Sequence, residues 1–159
     1  MARRQFTGEG RLWFVPTIAS PAAPTTSEIN AGTDLTPFLR RDGLTRPEEG
    51  NTIDTADASS RFNKNAPGTY GGDPVELRLY RDSVAGSDTA FNALPRDTTG
   101  YIVVRDFGGS STAIASTNKV QVWQGTVISR SRDPIGDNEA QRFTVRFSAE
   151  AAPVDGTVA

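Results

Sequence analysis

A stretch of alternating residues at positions 119–152 limits the folds that this sequence can adopt. Its alternation is the period-two pattern of a strand with one buried face. The apolar face of its second half consists of Phe143, Val145, Phe147 and Ala149. The pattern predicts strands at 119–132 and 139–152, joined by a turn at 133–138 that contains Pro, Gly, Asp and Asn. Both strands are about twice the usual length. The hairpin is therefore either the spine of a sheet or an arm that extends beyond the domain.

Shorter apolar segments predict further strands and little helix. The predicted strands are 5–17, 34–41, 43–54, 63–72, 74–81 and 101–107. Single helical turns are predicted after a cap at 25–27 and at 56–62, and a longer helix at 86–94 with Ser87 as its cap. Short loops between strands favour one domain over 1–159. Its predicted fold is mainly β, an antiparallel β-sandwich or open barrel with one flanking α-helix.

The first predicted strand has apolar residues on both of its faces. This pattern indicates burial on both sides or an interface, and Pro16 should end the strand or place it at an edge. We expect Trp13 and Trp123 to lie in the core, with an interface contact as the alternative.

Composition narrows the class of function. The chain has no histidine and no cysteine, which removes Ser-His-Asp and Cys-His catalysis and disulfide frameworks. The net charge of −2, with acidic and basic residues interspersed, does not favour tight nucleic-acid binding. The N-terminus lacks the apolar core of a secretory signal, and no apolar run is long enough to span a membrane. We expect a soluble, cytoplasmically made protein without cofactor, metal or membrane insertion.

Several acidic and glycine-rich positions were considered as sites and favour structural roles. Asp34, Asp54 and Asp57 lack the further oxygen ligands of a calcium loop, so turns or helix caps are favoured. Glu48 and Glu49 are adjacent and point in opposite directions on a strand, which disfavours a catalytic pair. Residues 108–111 lack the lysine and helix start of a phosphate-binding loop.

Four arginines lie on the long hairpin: Arg130, Arg132, Arg142 and Arg146. Two interpretations stay open for them. They form a solvated face with cross-strand ion pairs, or they make charged contacts between copies of the protein.

The order of several segments resembles the major tail (tail tube) proteins of long-tailed bacteriophages, most closely those of actinobacterial phages. These segments are Phe-Val-Pro-Thr-Ile-Ala at 14–19, Pro-Thr at 24–25, Glu-Ile-Asn-Ala-Gly-Thr-Asp-Leu-Thr at 28–36, Asp54 with Ser59 and Phe62, Leu-Tyr-Arg-Asp at 79–82, Gly-Tyr-Ile-Val-Val at 100–104 and Glu-Ala-Gln-Arg-Phe at 139–143. The likeness spans nearly the whole chain.

The resemblance implies a structural, non-enzymatic virion protein assembled in the host cytoplasm. Six copies would form a ring, and rings would stack head to tail into a hollow tube that conducts DNA without sequence-specific binding. The implied partners are further copies of the chain, the tape-measure protein, the tail terminator and distal tail or baseplate proteins. The alternatives are a binding module, such as a capsid-decoration or glycan- or receptor-binding domain, and a two-carboxylate glycan hydrolase.

Three regions are expected to make contacts between subunits: an N-terminal arm at 1–10, an exposed loop at 44–51 and the hairpin at 119–152. The contact candidates are Arg3, Arg4, Phe6, Arg46, Glu48, Glu49, Arg130, Arg132 and Arg142. Residues on polar strand faces are candidates to face the lumen: Glu76, Arg78, Arg146 and Glu150.

Overall fold

A computed structural model describes residues 3–109 and 111–159, and the backbone alone at Ala85. Positions 1 and 2 of the predicted N-terminal arm and position 110 of the glycine-rich loop lie outside the described residues. Within this part of the chain, antiparallel strands dominate and helices are short. The strands are β1 Arg11–Val15, β2 Thr33–Asp34, β3 Leu39–Thr45, β4 Glu49–Asp54, β5 Asn65–Gly71, β6 Val75–Tyr80, β7 Thr99–Arg105, β8 Lys119–Arg132, β9 Arg142–Ala149 and β10 Val154–Thr157. The helices are α1 Thr26–Ala31 and α2 Thr89–Ala93, with 3-10 turns at Thr36–Phe38 and Ala85–Ser87.

Eight of these strands form one sheet, in the order β2-β1-β7-β8-β9-β6-β3, with β10 paired to the start of β8. β8 is 14 residues long and pairs with β7, β9 and β10 along successive parts of its length. The long strand is therefore the spine of the sheet. β8 pairs with other strands of the same subunit along its whole length, which excludes the alternative that it is an arm extending beyond the domain.

The sheet bends so that its two ends share a core. Leu12 on β1 and Ile102 on β7 belong to the same buried cluster as Leu77 on β6 and Phe143 on β9. Strands that are four or five positions apart in the sheet order can share side-chain contacts only if the sheet curls over itself. Its edges at β2 and β3 are not joined, so the fold is sandwich-like and not a closed barrel. This confirms the predicted fold class.

A second buried cluster covers the other face of β1, β7 and the start of β8. It contains Trp13, Ile29 from α1, Val103 and Val158. The predicted two-sided burial of the first strand is confirmed, although the strand is shorter than expected and begins at Arg11. Trp13 and Trp123 each expose 3% of their surface, so both are core residues as expected.

A β-bulge at Ile128 changes the direction of the side chains on β8. Val127 pairs with Phe147, but the next paired residue, Ser129, faces Arg146. The extra residue places Arg130, opposite Val145, on the same side of the sheet as Val127. A strictly alternating pattern would place Val127 and Arg130 on opposite faces.

Local hydrogen bonds explain the two short helices. Thr25 accepts a hydrogen bond from the Glu28 amide at 3.2 Å, and Glu28 accepts one from the Thr25 amide at 2.9 Å, a capping box that starts α1 as predicted. The predicted helix at 86–94 is α2, whose Ala90, Phe91 and Leu94 are buried as expected. The prediction of Ser87 as its cap is wrong, because Ser87 ends a 3-10 turn and Asp88 holds the cap position.

Other predicted boundaries are also corrected. The helical turn at 56–62 does not form, because Asp54 and Asp57 accept hydrogen bonds from the amides of Ala56 and Ser59 and hold the backbone in turns. The prediction that these two aspartates have turn roles is confirmed. The last strand of the hairpin is shorter than expected, Arg142–Ala149, and β10 follows it.

Candidate assembly surfaces

The most exposed part of the described chain is a projecting hairpin, residues 46–73, here called the arm. Its strands β4 and β5 pair with each other and do not join the large sheet. Every β4 residue is exposed, and a Cβ added at Gly50 or Gly71 would meet nothing within 4 Å. Isolated two-stranded hairpins are marginally stable in water. Apart from the contacts at its base, the arm therefore receives little stabilisation from its own subunit.

Large apolar side chains on the arm face solvent. Phe62 exposes 74% of its surface, Tyr70 65% and Ile53 57%. The sequence predicted strands at 43–54 and 63–72, which contain Ile53 and Tyr70, and a helical turn at 56–62, which contains Phe62, but it did not single out these side chains as exposed. The sequence did contain a signal for their exposure. Between Leu44 and Val75 no apolar residues recur with the period of a strand or helix, so an isolated Ile, Phe or Tyr there has no apolar face to join.

The base of the arm is fixed to the body of the subunit. Arg46 makes an ion pair with Asp106 at 2.7 Å and donates a hydrogen bond to the side chain of Gln121 at 2.7 Å. At the other side of the base, a Cβ on Gly72 would lie 2.6 Å from the carbonyl oxygen of Pro47. Arg46, an expected subunit contact, thus bonds within its own chain.

The loop predicted at 44–51 is divided in the structure. Leu44 and Thr45 end β3, and residues from Glu49 onward belong to β4. Glu48 and Glu49 are exposed, and no described cationic side chain lies within ion-pair distance of either. Both carboxylates are therefore available at the base of the arm.

The polar face of β6 and β9 brings together three of the four lumen candidates. Glu76 forms ion pairs with Arg78 at 2.9 Å and with Arg146 at 3.8 Å, so two cations share one carboxylate. Glu150 lies just beyond β9 and accepts a hydrogen bond from Thr126 at 2.5 Å. This face is polar, and its carboxylates Glu76 and Glu150 equal its guanidinium groups in number.

The arginines at the far end of the hairpin contact their own subunit. The guanidinium carbon of Arg130 lies 3.8 Å from the centre of the Phe91 ring, and that of Arg132 lies at 5.5 Å. Arg130 also donates a hydrogen bond to the Phe91 carbonyl at 2.6 Å. Arg142 pairs with Glu139 at 3.1 Å. Arg81 covers Phe91 as well, at 3.7 Å, and makes an ion pair with buried Asp88 at 2.6 Å.

The described part of the N-terminal arm, residues 3–10, is partly docked on its own subunit. Phe6 packs against the first core, and a Cβ at Gly10 would collide with the Phe6 ring. Arg4 stacks on Phe107 at 3.8 Å. Arg3 is exposed. Of the predicted contact residues in this segment, the two arginines are the ones left at the surface.

A buried arginine organises the loop that follows β7. Arg105 exposes 2% of its surface and donates hydrogen bonds to the carbonyls of Gly109 at 2.6 Å, Thr112 at 2.8 Å and Ala113 at 3.3 Å, and to the Asn118 side chain at 3.3 Å. Burial lowers the pKa of the Arg105 guanidinium, and the nearby positive charge of Arg11 lowers that pKa further. The group remains charged, because arginine starts from a very high pKa.

The described residues contain no cluster of three acidic, histidine or cysteine side chains that would hold a metal ion. No helix among them has both the length and the apolarity required to cross a lipid bilayer.

The chain is similar to known proteins over its whole length. A profile described as phage tail tube protein matches residues 1–159. The chain belongs to the phage tail tube protein family. Among solved structures, this tail tube protein is similar to a chain in the cryo-EM structure of the anti-feeding prophage (AFP) baseplate, 6-fold symmetrised. The TM-score is 0.58 at 11% identity, with 95% of each chain covered, so the likeness concerns the fold. No curated protein matches the sequence.

The family places this tail tube protein among the structural components of the virion tail. The predicted resemblance is thereby confirmed at the level of the family. The closer likeness to proteins of actinobacterial phages stays a prediction.

Proposed function

We propose that this tail tube protein assembles into hexameric rings that stack head to tail, forming the hollow tube through which phage DNA passes. The observation that carries the proposal is the arm, which displays Ile53, Phe62 and Tyr70 without covering them in its own subunit. Exposed apolar side chains on a hairpin that is marginal by itself are typical of an element that is completed by a neighbour.

The six-fold ring is supported by the fold likeness to a chain of a 6-fold symmetrised baseplate. The charges of Glu76 and Glu150 together equal those of Arg78 and Arg146, which suits a wall past which DNA slides, because tight adhesion requires unpaired cations that neutralise phosphates. We propose this face, with Glu150 at its end, as the lumen wall. Arg3, Arg4, Glu48 and Glu49 are proposed as further subunit contacts, since they are exposed.

Assembly in the host cytoplasm around a tape-measure protein, with a terminator at one end and distal or baseplate proteins at the other, completes the proposal. These partners are the ones that the resemblance to the tail tube family implies.

Electron microscopy of the purified protein at increasing concentration tests the tube. We expect hollow tubes of stacked rings for the natural sequence. The triple variant Ile53→Ser, Phe62→Ser and Tyr70→Ser should remain in small species with an unchanged melting temperature, since these side chains contribute little to its own core. Ile135→Ser is the matched control, because Ile135 is 76% exposed but lies outside the arm.

A natural-sequence protein that stays a monomer or trimer at every concentration would overturn the proposal and favour the binding-module alternative. Tubes formed equally well by the triple variant would show that the arm has no part in assembly.

A further inference from the structure

A groove lies along the open seam of the fold, where the two ends of the sheet approach each other without pairing. It has a volume of about 470 Å³ and is lined by residues of β1, β2 and β3 and by the segment that precedes β1. Its apolar lining consists of Phe6, Pro37 and Leu39. Phe6 and Leu39 also pack against the first buried cluster, so this lining continues the core to the surface. We call this site the seam groove.

Arginines outnumber carboxylates in the seam groove. Its lining contains the three guanidinium groups of Arg11, Arg40 and Arg41 and the one carboxylate of Asp34, a net charge of +2 in a chain whose net charge is −2. Asp34 is already occupied, because it pairs with Arg11 at 2.5 Å. Arg40 reaches Asp42 at 3.5 Å, and the Asp42 side chain is 69% exposed. Among the described residues, Arg41 has no carboxylate within ion-pair distance.

A β-bulge places two consecutive arginines in the same groove. Residues 40–43 of β3 lie opposite the single residue Arg78 of β6. Neighbouring residues on a regular strand point to opposite faces, and the bulge removes that alternation, so Arg40 and Arg41 both line the seam groove. Gly43 permits this path, because a Cβ at that position would collide with the Arg78 carbonyl oxygen. The local sequence therefore builds the pair of arginines into the seam.

Arg11 lies across the seam on β1 and is held in position. Besides its ion pair with Asp34, it donates a hydrogen bond to the Thr112 carbonyl at 3.1 Å, and its guanidinium carbon lies 5.0 Å from the centre of the Trp13 ring. A side chain that is ordered before binding loses less entropy when a ligand arrives. One wall of the groove is thus preformed.

The chemistry of the lining indicates the class of ligand. Guanidinium groups bind carboxylates through paired, charge-assisted hydrogen bonds. The apolar side chains beside them suit a ligand that also carries aliphatic groups. Single-stranded nucleic acid requires aromatic rings on which bases stack, and Phe6, the one aromatic residue of the lining, packs into the core. These features favour an acidic peptide over a nucleic acid.

We propose that the seam groove binds an acidic peptide segment of a partner protein. Its carboxylates pair with Arg40 and Arg41, and an aliphatic side chain between them packs on Pro37 and Leu39. The inference goes beyond the proposed tube, because it assigns a second kind of partner and needs only the single subunit.

Fluorescence anisotropy of a labelled peptide of alternating Glu and Leu, titrated with the full chain, tests this site. A peptide of alternating Gln and Leu has a similar shape without the charge, and we expect it to bind at least about tenfold more weakly. The double variant Arg40→Gln and Arg41→Gln should weaken binding of the acidic peptide by about tenfold or more. The matched control Arg61→Gln and Arg96→Gln removes the same charge from exposed positions outside the groove and should bind like the natural sequence.

Gly43→Ala separates the groove from its charge. It leaves the net charge unchanged but displaces the bulge, so it should also weaken binding of the acidic peptide, at a temperature where the melting curve shows the variant folded. An equal loss from both pairs of arginines, or equal affinity for the two peptides, would overturn the inference.

Two other occupants are distinguishable. Oligothymidylate that binds as tightly as the acidic peptide and competes with it would overturn the inference in favour of a nucleic acid. A change of self-association in the Arg40→Gln and Arg41→Gln variant, without a change in peptide affinity, would overturn it in favour of a second copy of the chain. These outcomes do not depend on tubes, so failure here leaves the proposed function intact.

Discussion

The Arg46 guanidinium lies 2.7 Å from the Asp106 carboxylate, so the start of the arm is tied to the loop after β7 across 60 positions of sequence. Both side chains are partly exposed, so the ion pair should contribute about 0.5–1 kcal/mol to the free energy of unfolding. We expect Arg46→Gln and Asp106→Asn each to lower the free energy of unfolding by about that amount, and the double variant to lose little more than either one. Urea denaturation of all four proteins measures the coupling. Strictly additive losses would contradict a direct interaction.

Two adjacent glycines at the arm base offer a matched comparison. A Cβ at Gly72 would lie 2.6 Å from the Pro47 carbonyl, whereas a Cβ at Gly71 would meet nothing within 4 Å. Gly72→Ala should force the base apart, at a cost of about 1–3 kcal/mol, and expose the arm to limited proteolysis. Gly71→Ala should be neutral or slightly stabilising. Equal behaviour of the two variants would mean that the base is not tightly packed.

The start of α1 should depend on pH through Glu28. Hydrogen bonds from the backbone amides of Thr25 and Ala19 lower the pKa of this carboxyl below its ordinary value. A group whose pKa is lower in the folded state stabilises the fold above its unfolded pKa, about 4.3, and this contribution is lost as the pH falls through the folded value. Glu28→Gln should therefore flatten the decline in stability measured by urea denaturation below about pH 4.3. Parallel curves for the two proteins would exclude this role.

Arg105 should be essential for the loop at 106–118. Removing a buried guanidinium with four hydrogen-bond acceptors leaves those oxygens unpaired, so Arg105→Met should lower the free energy of unfolding by about 3 kcal/mol. Amide exchange should quicken across the loop. Arg96→Met is the control and should change stability by less than about 0.5 kcal/mol, because the Arg96 side chain is 76% exposed. A similar small effect at both positions would contradict the structural role of Arg105.

The strands of the large sheet were predictable wherever burial of one face gives the sequence a periodic apolar pattern. Leu77 on β6 and Phe143 on β9 belong to alternating apolar faces, and Thr25 with Glu28 has the spacing of a capping box, so these elements follow from local sequence. The arm has no periodic apolar pattern, because its two strands are held together by backbone hydrogen bonds and bury no face.

The contacts of the candidate residues could not be predicted from the local sequence either. Arg46 meets Asp106, and Arg130 meets Phe91, only because the sheet brings distant segments together. The length of the strand at 119–132 left open whether it is the spine of a sheet or an arm beyond the domain, and its three strand partners inside the subunit show that it is the spine.

The bulge at Ile128 sets where this chain can change its length. Deleting that one residue would remove the bulge but keep Ser129 opposite Arg146 and Arg130 opposite Val145, with Arg130 still over Phe91. The exposed tip of the arm and the connection 133–141 pack against little. Natural variants of the protein should therefore gain and lose residues at those two places. Within β8, Ile128 is a position where one residue can be lost while the paired residues on both sides keep their partners.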